Sequence, residues 1–271
     1  MSTENKKVAI LGGGNMGIAI AKGMVACGKY HAENITLTRR NLRQLDDLAK
    51  EGYKVSNNNA LAVVEADIII LSILPQQLDS VLDTISESVD PKRHLFISIV
   101  TGVAVGDIVQ RLGKPVEVMR AMPNTAIAIR ESMTCLAGNA SAENQALVKD
   151  IFDSVGETVE IEEELMSSAT ALVACGIAFF LRSIRAAAQG GTEIGFHAKD
   201  ALRMAAQTAK GAASLLLQNS SHPENEIDKV TSPKGCTIAG LNEMEHHGFS
   251  SAMIKGIKLS SAKAEQLYHK E

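Results

Sequence analysis

The sequence has 271 residues, of which 45% are apolar, 21% charged and 3% aromatic, and its formal net charge is −4. This composition is typical of a soluble globular protein large enough for two domains, and the few aromatic residues and the acidic balance argue against a nucleic-acid-binding surface. The polar amino end, residues 1–7, does not have the pattern of a signal peptide. The longest apolar run, residues 169–181, is shorter than the roughly 20 residues that a membrane span needs. We therefore expect a cytoplasmic protein without membrane or nucleic-acid partners.

The cysteines and histidines give no pattern of a disulfide framework or a metal site. Cys27, Cys135, Cys175 and Cys236 lie far apart in the chain, which predicts free thiols in a reducing compartment. The pair His246-His247 stands in an acidic stretch, and we interpret it as solvated rather than as metal-binding. No metal is expected.

The first structured stretch is a short apolar run that breaks into glycines. Residues 8–11 read as a buried strand, and a helix follows that is expected to end at Gly28. Gly12, Gly14 and Gly17 allow, in turn, a tight turn, the approach of a pyrophosphate and close helix–strand packing. The N–H groups of the first helical turn, at Asn15 and Met16, would face the anion. Glycine-rich turns without a nucleotide also occur, but the position between strand and helix favours a dinucleotide site.

The end of the second predicted strand, residues 35–38, indicates the type of cofactor. Asn41 is expected to cap a helix over residues 42–50. Where an NAD enzyme places an acidic residue for the ribose hydroxyls, this chain has Thr38, Arg39 and Arg40. A hydroxyl and two guanidinium groups suit a 2′-phosphate, so we expect NADP(H) rather than NAD(H). The alternative is a pair of solvated loop arginines.

Further buried strands are predicted over residues 67–71, 95–100, 116–119 and 159–161, with a helix starting at Pro75. This alternation predicts an α/β fold, a Rossmann-type doubly wound parallel sheet. Ligands of such sheets bind beyond the carboxyl ends of the strands. The cofactor residues expected there are Ser72, Leu74, Pro75, Thr101, Gly102 and Asn124.

From residue 162 the pattern changes to long helices, predicted over residues 164–190, 198–218, 237–247 and 250–268. We therefore divide the chain into a cofactor-binding domain, residues 1–161, and an all-α domain, residues 162–271. The first two helices are apolar on more than one face, which predicts an intertwined homodimer.

One loop in this half combines hydroxyls with a helix start. Ser232 lies in a turn-rich segment, and Gly235, Cys236 and Thr237 lead into the predicted helix. Such a helix start can bind a substrate carboxylate. An ordinary capped helix is the alternative.

Together these motifs resemble those of the pyrroline-5-carboxylate reductases, over nearly the whole chain. The resemblance rests on the glycine turn at residues 12–17, RAMPNT at 120–125, SIVTGV at 98–103, and His222-Pro223 followed by VTSPKGCTI at 230–238.

The resemblance implies that NADPH delivers hydride to the C=N carbon of a small anionic cyclic imine, 1-pyrroline-5-carboxylate, giving proline. Asn59 would lie near the adenine ribose, and the nicotinamide near Asn124 and the Thr101-Gly102 turn. Thr237 would donate to the imine nitrogen, and Ser232 with the backbone of residues 235–237 would hold the carboxylate. A helical homodimer or larger homo-oligomer is also implied.

The chain departs from the family pattern in the stretch that opens the first long helix. Residues 173–179 read VACGIAF in place of SGSGPAY, an acidic position is Arg185, and Arg182 stands one turn earlier. These changes leave open a related imine substrate with a second carboxylate, or a catalytically weak cofactor-binding regulator. A β-hydroxyacid dehydrogenase is a weaker alternative, because the acid/base lysine of that chemistry is missing between Lys149 and Lys199.

Overall fold

The computed structural model describes residues 6–268. The chain forms two compact units. The first comprises the described residues up to Cys175 together with those from Ser260 onward, and the second is Gly176–Leu259.

The first unit is built on one sheet with the strand order β3-β2-β1-β4-β5-β6-β7-β8. Within the described range its strands are β1 (Val8–Leu11), β2 (Ile35–Thr38), β3 (Lys54–Ser56), β4 (Ile68–Leu71), β5 (Leu95–Ser98), β6 (Glu117–Met122), β7 (Ser132–Gly138) and β8 (Gly156–Glu160). Strands β1 to β6 are all parallel to one another. The order reverses at β1, which lies between β2 and β4, so a crevice opens beyond the carboxyl end of β1.

Strand β7 runs antiparallel to β6, and β8 is parallel to β7. The predicted doubly wound parallel sheet is therefore correct for six strands and incomplete at this edge. The chain between β6 and β7 contains only a short 3-10 helix, Thr125–Ile129. A parallel return needs a longer crossover, so the chain returns antiparallel.

Helices cover both faces of the sheet. The α-helices of the first unit up to Cys175 are α1 (Asn15–Ala26), α2 (Asp46–Lys50), α3 (Asn59–Glu65), α4 (Leu78–Ile85), α5 (Val105–Leu112), α6 (Ala142–Asp153) and α7 (Met166–Ala169). Alternate residues of β1 belong to opposite cores, Val8 and Ile10 to one and Ala9 and Leu11 to the other. Burial on both faces explains why the central strands β1 and β4, VAIL and IIIL, are continuous apolar runs.

The second unit is helical. Its elements are α8 (Gly176–Glu193), α9 (Ala198–Asn219), α10 (Pro223–Lys229), α11 (Cys236–His246) and α12 (Phe249–Glu265), the last of which ends in the first unit. Helix α8 packs against α9. Large apolar side chains on both remain about half exposed or more, for example Phe180, Leu181 and Leu217. Helix α10 was not predicted, because its sequence PENEIDK has no apolar period.

A continuous helical run, Glu163–Glu193, joins the two units. It contains α7, a π-helical segment Thr170–Cys175 and α8. By length and composition the run could cross a membrane, and 28% of its apolar window is buried within the chain. The expectation that this stretch is too short for a span is thus wrong for the helix as a whole.

The first turns of this run belong to the sheet-containing unit. Met166 and Ala169 pack with Met122, Cys135 and Ala137 of β6 and β7. The compact units consequently divide at Cys175 rather than at the predicted domain boundary after residue 161. The assignment of substrate binding and dimerisation to residues 162–271 stays a prediction.

Candidate functional site

The glycine turn after β1 has the geometry that a dinucleotide site needs. Gly12 has a φ of +112°, which favours glycine. A Cβ at Gly17 would collide with the carbonyl oxygen of Gly12, so Gly17 allows α1 to pack closely on the turn. A Cβ at Gly14 would meet no atom within 4 Å, so this part of the backbone is open to an incoming group. Gly12 therefore allows the turn, Gly17 allows close packing of α1, and Gly14 leaves room for a ligand to approach the backbone.

The start of α1 leaves hydrogen-bond donors for a ligand. Gly14 is the N-cap residue and makes no side-chain cap hydrogen bond. The amide of Ile18 donates to the carbonyl of Gly14 at 2.9 Å and makes the first bond of the helix. The N–H groups of Asn15, Met16 and Gly17 precede that bond and thus lack helical acceptors. They lie at the positive end of the helix dipole, where a phosphate binds well.

The end of β2 is tied to the same turn. The amide of Gly13 donates to the carbonyl of Thr38 at 2.7 Å, and Arg39 Nη1 donates to the carbonyl of Gly13 at 2.6 Å. Arg39 is half-buried and held in place by this bond, whereas Arg40 is exposed. The two guanidinium groups therefore stand beside the glycine turn, one hydrogen-bonded to it and one exposed.

A cleft of about 940 Å³ opens over this edge of the sheet, all of it within the first unit. Eleven of the fifteen predicted cofactor residues line it: Gly12, Gly14, Asn15, Met16, Thr38, Arg39, Arg40, Asn59, Ser72, Leu74 and Thr101. Gly17, Pro75, Gly102 and Asn124 do not line it. Gly17 packs beneath the turn, and the Asn124 side chain accepts a hydrogen bond from the amide of Ala126 at 3.0 Å, which fixes it in a local cap. Their assignment to cofactor binding stays a prediction.

The cleft also has a polar wall that the sequence reasoning missed. Ser80 and Thr84 line it from α4, and Gln76 and Gln77 line it from the 3-10 turn that precedes α4. The spacing of Gln77, Ser80 and Thr84 places them on one helical face, opposite the buried Leu78, Leu82 and Ile85. In the sequence these residues form a polar stripe on the helix predicted to start at Pro75, and this stripe could have indicated a second wall of the site.

The inner end of the cleft is formed by three segments. Ile99 and Thr101 follow β5, Met122 and Pro123 end β6, and Ala174 belongs to the π-helical segment. Ala174 falls within the stretch that departs from the family pattern. Gly102, next to Thr101, is covered by the chain end instead, because a Cβ there would lie 2.9 Å from the carbonyl oxygen of Ala264.

The electrostatics of the cleft favour an anionic ligand. Among the described residues that line it, Arg39 and Arg40 are the only charged ones, and neither carboxylates nor histidines contribute. Just below the inner end, burial lowers the pKa of Arg120 from its ordinary value, and the neighbouring Glu163 opposes this shift. The described lining of the cleft can therefore bind phosphates, but it supplies no carboxylic acid or histidine for a proton transfer.

The predicted substrate residues lie in the second unit. Gly235 donates its N–H to the carbonyl of Ser232 at 2.9 Å, and a Cβ at Gly235 would lie 2.5 Å from Ser232 Oγ, so this bend requires glycine. Lys234 inside it has a φ of +59°, a conformation that favours glycine or asparagine. Helix α11 then begins at Cys236, followed by Thr237, with Gly235 as its N-cap. Ser232, Gly235, Cys236 and Thr237 are thus brought together at one helix start.

Two family models match the chain. The model described as pyrroline-5-carboxylate reductase dimerisation matches residues 163–267. The model described as NADP oxidoreductase, coenzyme F420-dependent, matches residues 7–102. The second match contains the glycine turn and the end of β2.

Relatives that match nearly the whole of this chain agree with both family models. The chain is 54% identical to pyrroline-5-carboxylate reductase 1 of Dictyostelium discoideum over 99% of its own length, and it spans 51% of that protein. It is 48% identical to pyrroline-5-carboxylate reductase 2 of the same organism, over 97% of this chain and 93% of the relative. The crystal structure of Plasmodium falciparum pyrroline carboxylate reductase with NADP bound superposes with a TM-score of 0.90 at 25% identity, covering 98% of this chain and 99% of the other. The identity to these relatives, together with the glycine turn and the helical second unit, shows that the chain belongs to the pyrroline-5-carboxylate reductase family.

Proposed function

We propose that this protein reduces 1-pyrroline-5-carboxylate to L-proline with NADPH. The observation that carries the proposal is the cleft over the first unit, whose glycine turn is open at Gly14 and whose only charged lining residues, in the described chain, are Arg39 and Arg40. Membership of the reductase family supports the choice of reaction.

The residues of the cleft fit a dinucleotide with a 2′-phosphate. The N–H groups at the start of α1 would bind the pyrophosphate, and Arg40 would bind the 2′-phosphate. Arg39, fixed on the Gly13 carbonyl, would form the floor of that subsite. The bound cofactor supplies the hydride, and preference for NADPH over NADH is part of the proposal.

Residues of the second unit would hold and activate the imine. The N–H groups at the start of α11, with the Ser232 hydroxyl, suit a carboxylate, and the Thr237 hydroxyl would donate to the imine nitrogen. We assign the polarisation of the C=N bond to the neutral Thr237 hydroxyl, and the described lining of the cleft, which holds no carboxylate or histidine, offers no competing acid. Orientation and exclusion of water supply the rest of the rate enhancement.

We further propose a homodimer, a cytoplasmic location and the division into a cofactor domain and a substrate and dimerisation domain. The exposed apolar side chains of α8 and α9, among them Phe180, Leu181 and Leu217, would be covered by a second copy. This assignment also explains the apolar run Glu163–Glu193 without a membrane. The match of residues 163–267 to a dimerisation model supports it.

The direct test is oxidation of NADPH by the purified protein with a panel of cyclic imines, including ones with a second carboxylate. We expect turnover with 1-pyrroline-5-carboxylate and a loss of about hundredfold in kcat for Thr237→Ala, with unchanged NADPH binding. Thr237→Ser, which keeps the hydroxyl, should restore most of the rate. Preference for a dicarboxylic imine would redirect the substrate assignment toward Arg182 and Arg185. Binding of NADPH without any turnover would indicate a regulator.

A further inference from the structure

A partly buried ion pair lies next to the segments that form the inner end of the cleft. Glu163 Oε1 accepts a hydrogen bond from Arg120 Nη1 at 3.2 Å and a second one from the amide of Val105 at 2.7 Å. The Arg120 side chain is 7% exposed and the Glu163 side chain 34%. One carboxylate oxygen therefore joins three segments that are distant in the chain.

Each of these three segments continues into one wall of the inner end. Val105 begins α5 and follows the turn that contains Thr101. Arg120 lies in β6, two residues before Met122. Glu163 begins the helical run that reaches Ala174. Thr101, Met122 and Ala174 all line the cleft, so movement of the joint would alter the distances between them.

The start of α5 is held by carboxylates on two successive amides. Asp107 Oδ2 accepts from the amide of Ala104 at 3.2 Å, which is a local cap, and Glu163 accepts from the next amide, that of Val105. Carboxylates are favourable at a helix N-terminus because they face the positive end of its dipole. The second acceptor is supplied by a residue 58 positions away in the chain. A remote acceptor adds a positional constraint that a local cap does not.

We propose that Arg120 and Glu163 are positioning residues, which set the spacing of the Thr101, Met122 and Ala174 walls around the reacting end of the cofactor. This inference rests on the proposed function, since it assigns the inner end of the cleft to the nicotinamide. Neither residue touches the cleft itself, so the pair acts through the segments that it joins. Hydride transfer is sensitive to small errors in donor–acceptor geometry, so such a joint affects the rate more than the affinity.

A matched control lies at the amino ends of the strands, on the side of the sheet away from the cleft. Asp67 Oδ1 accepts from Arg93 Nε at 3.0 Å, and Asp67 Oδ2 accepts from the amide of Lys7 at 2.9 Å. This carboxylate has the same kinds of partners as Glu163, an arginine and a remote backbone amide. It lies just before β4, at the amino ends of the strands, away from the cleft.

The experiment compares Glu163→Gln with Asp67→Asn in the full-length protein. For Glu163→Gln we expect kcat per NADPH-binding site to fall about tenfold, while the dissociation constant of NADPH changes less than about threefold, because the phosphate subsite is intact. Asp67→Asn should lower the melting temperature by a similar amount and leave kcat within about twofold of the wild type. Glu163→Asp keeps the charge but shortens the reach, and it is the second variant if Glu163→Gln does not fold.

Hydrogen exchange of the ligand-free protein tests the joint without any activity. In Glu163→Gln the amides of residues 101–105 and 166–175 should exchange faster, whereas Asp67→Asn should leave them unchanged. Unchanged exchange in these segments, or a fall in kcat equal to that of Asp67→Asn, would overturn the positioning role. If the wild type does not oxidise NADPH with any imine, the proposed function fails, and the exchange comparison alone decides the joint.

Discussion

The hydroxyl of Tyr268 donates a hydrogen bond to Asp79 Oδ1 at 2.9 Å, which ties the end of the described chain to α4, 189 residues earlier. Asp79 also faces Arg111 at 3.8 Å, and Arg111 pairs with Asp83. The segment before Tyr268 covers Gly102, which has a φ of +79°. The chain end therefore packs over the turn that precedes α5.

Removing this hydroxyl should loosen the chain end. For Tyr268→Phe we expect the free energy of unfolding to fall by about 1 kcal/mol, the usual net contribution of one hydrogen bond. Burial and the bond to Asp79 raise the pKa of Tyr268 to about 12. In the unfolded chain the tyrosine has its ordinary pKa near 10, so it loses its proton first as the pH rises. The contribution of Tyr268 to stability is therefore complete below about pH 10 and is lost as the pH rises toward 12. Denaturant unfolding at pH 8 and at pH 11 should thus show a wild-type advantage that shrinks at the higher pH. An equal advantage at both would contradict the assignment.

Gly14→Ala should weaken cofactor binding without weakening the fold. A Cβ at Gly14 meets nothing within 4 Å, and the residue has a φ of −87°, which alanine accepts. The added methyl group would stand where the pyrophosphate approaches, so we expect the dissociation constant of NADPH to rise at least about tenfold. Fluorescence titration and a melting curve measure the two effects. Gly106→Ala, in α5 and also with open space around its Cβ, is the control: it should leave the dissociation constant unchanged and should not lower the melting temperature, because alanine favours a helix.

Arg40→Ser should change the preference between the two nicotinamide cofactors. Loss of a guanidinium that pairs with the 2′-phosphate should raise KM for NADPH by about tenfold and leave KM for NADH within about twofold. The control is Arg43→Ser, which removes an exposed arginine that does not line the cleft. An equal rise for both cofactors would assign Arg40 to general electrostatics rather than to the 2′-phosphate.

His94 should determine the stability of the protein in mild acid. Its side chain is buried, Nδ1 accepts from the amide of Asp90 at 3.1 Å, and Nε2 has no partner among the described residues. Burial, assisted by Arg93, lowers the pKa of His94. The unfolded state therefore binds the proton first, and stability is lost as pH falls below about 6.5.

His94→Asn keeps an acceptor for that amide and removes the titration. We expect its melting temperature to change less than that of the wild type between pH 7 and pH 5. Carboxylates with a lowered pKa, such as Asp67 and Glu117, also reduce the stability of the fold when they are protonated, but only nearer pH 4. His222→Asn, at an exposed histidine that also accepts a backbone N–H, should retain the wild-type pH dependence. Identical curves for His94→Asn and wild type would show that His94 does not control this range.

Much of the first unit follows from local patterns. The predicted strands at residues 8–11 and 35–38 are confirmed without change as β1 and β2, since β1 is a continuous apolar run and β2 alternates apolar residues with β-branched threonine. Strand β7, SMTCLAG, was not predicted, because its polar residues Ser132 and Thr134 are buried and break the apolar pattern. The glycines and arginines of the cleft were recognised from the sequence. The wall formed by Gln77, Ser80 and Thr84 was not, since only their common face toward the cleft gives them a role.

The sequence by itself determined the family, the glycine turn and the alternation of strands and helices, because these depend on residues that are neighbours in the chain. Only the tertiary structure decided the antiparallel edge of the sheet, the cover over Gly102 and the joint between Arg120, Glu163 and Val105. Contacts between residues separated by tens of positions leave no periodic signal in the sequence. They are selected by the packing of whole elements, and the position of each side chain follows from that packing.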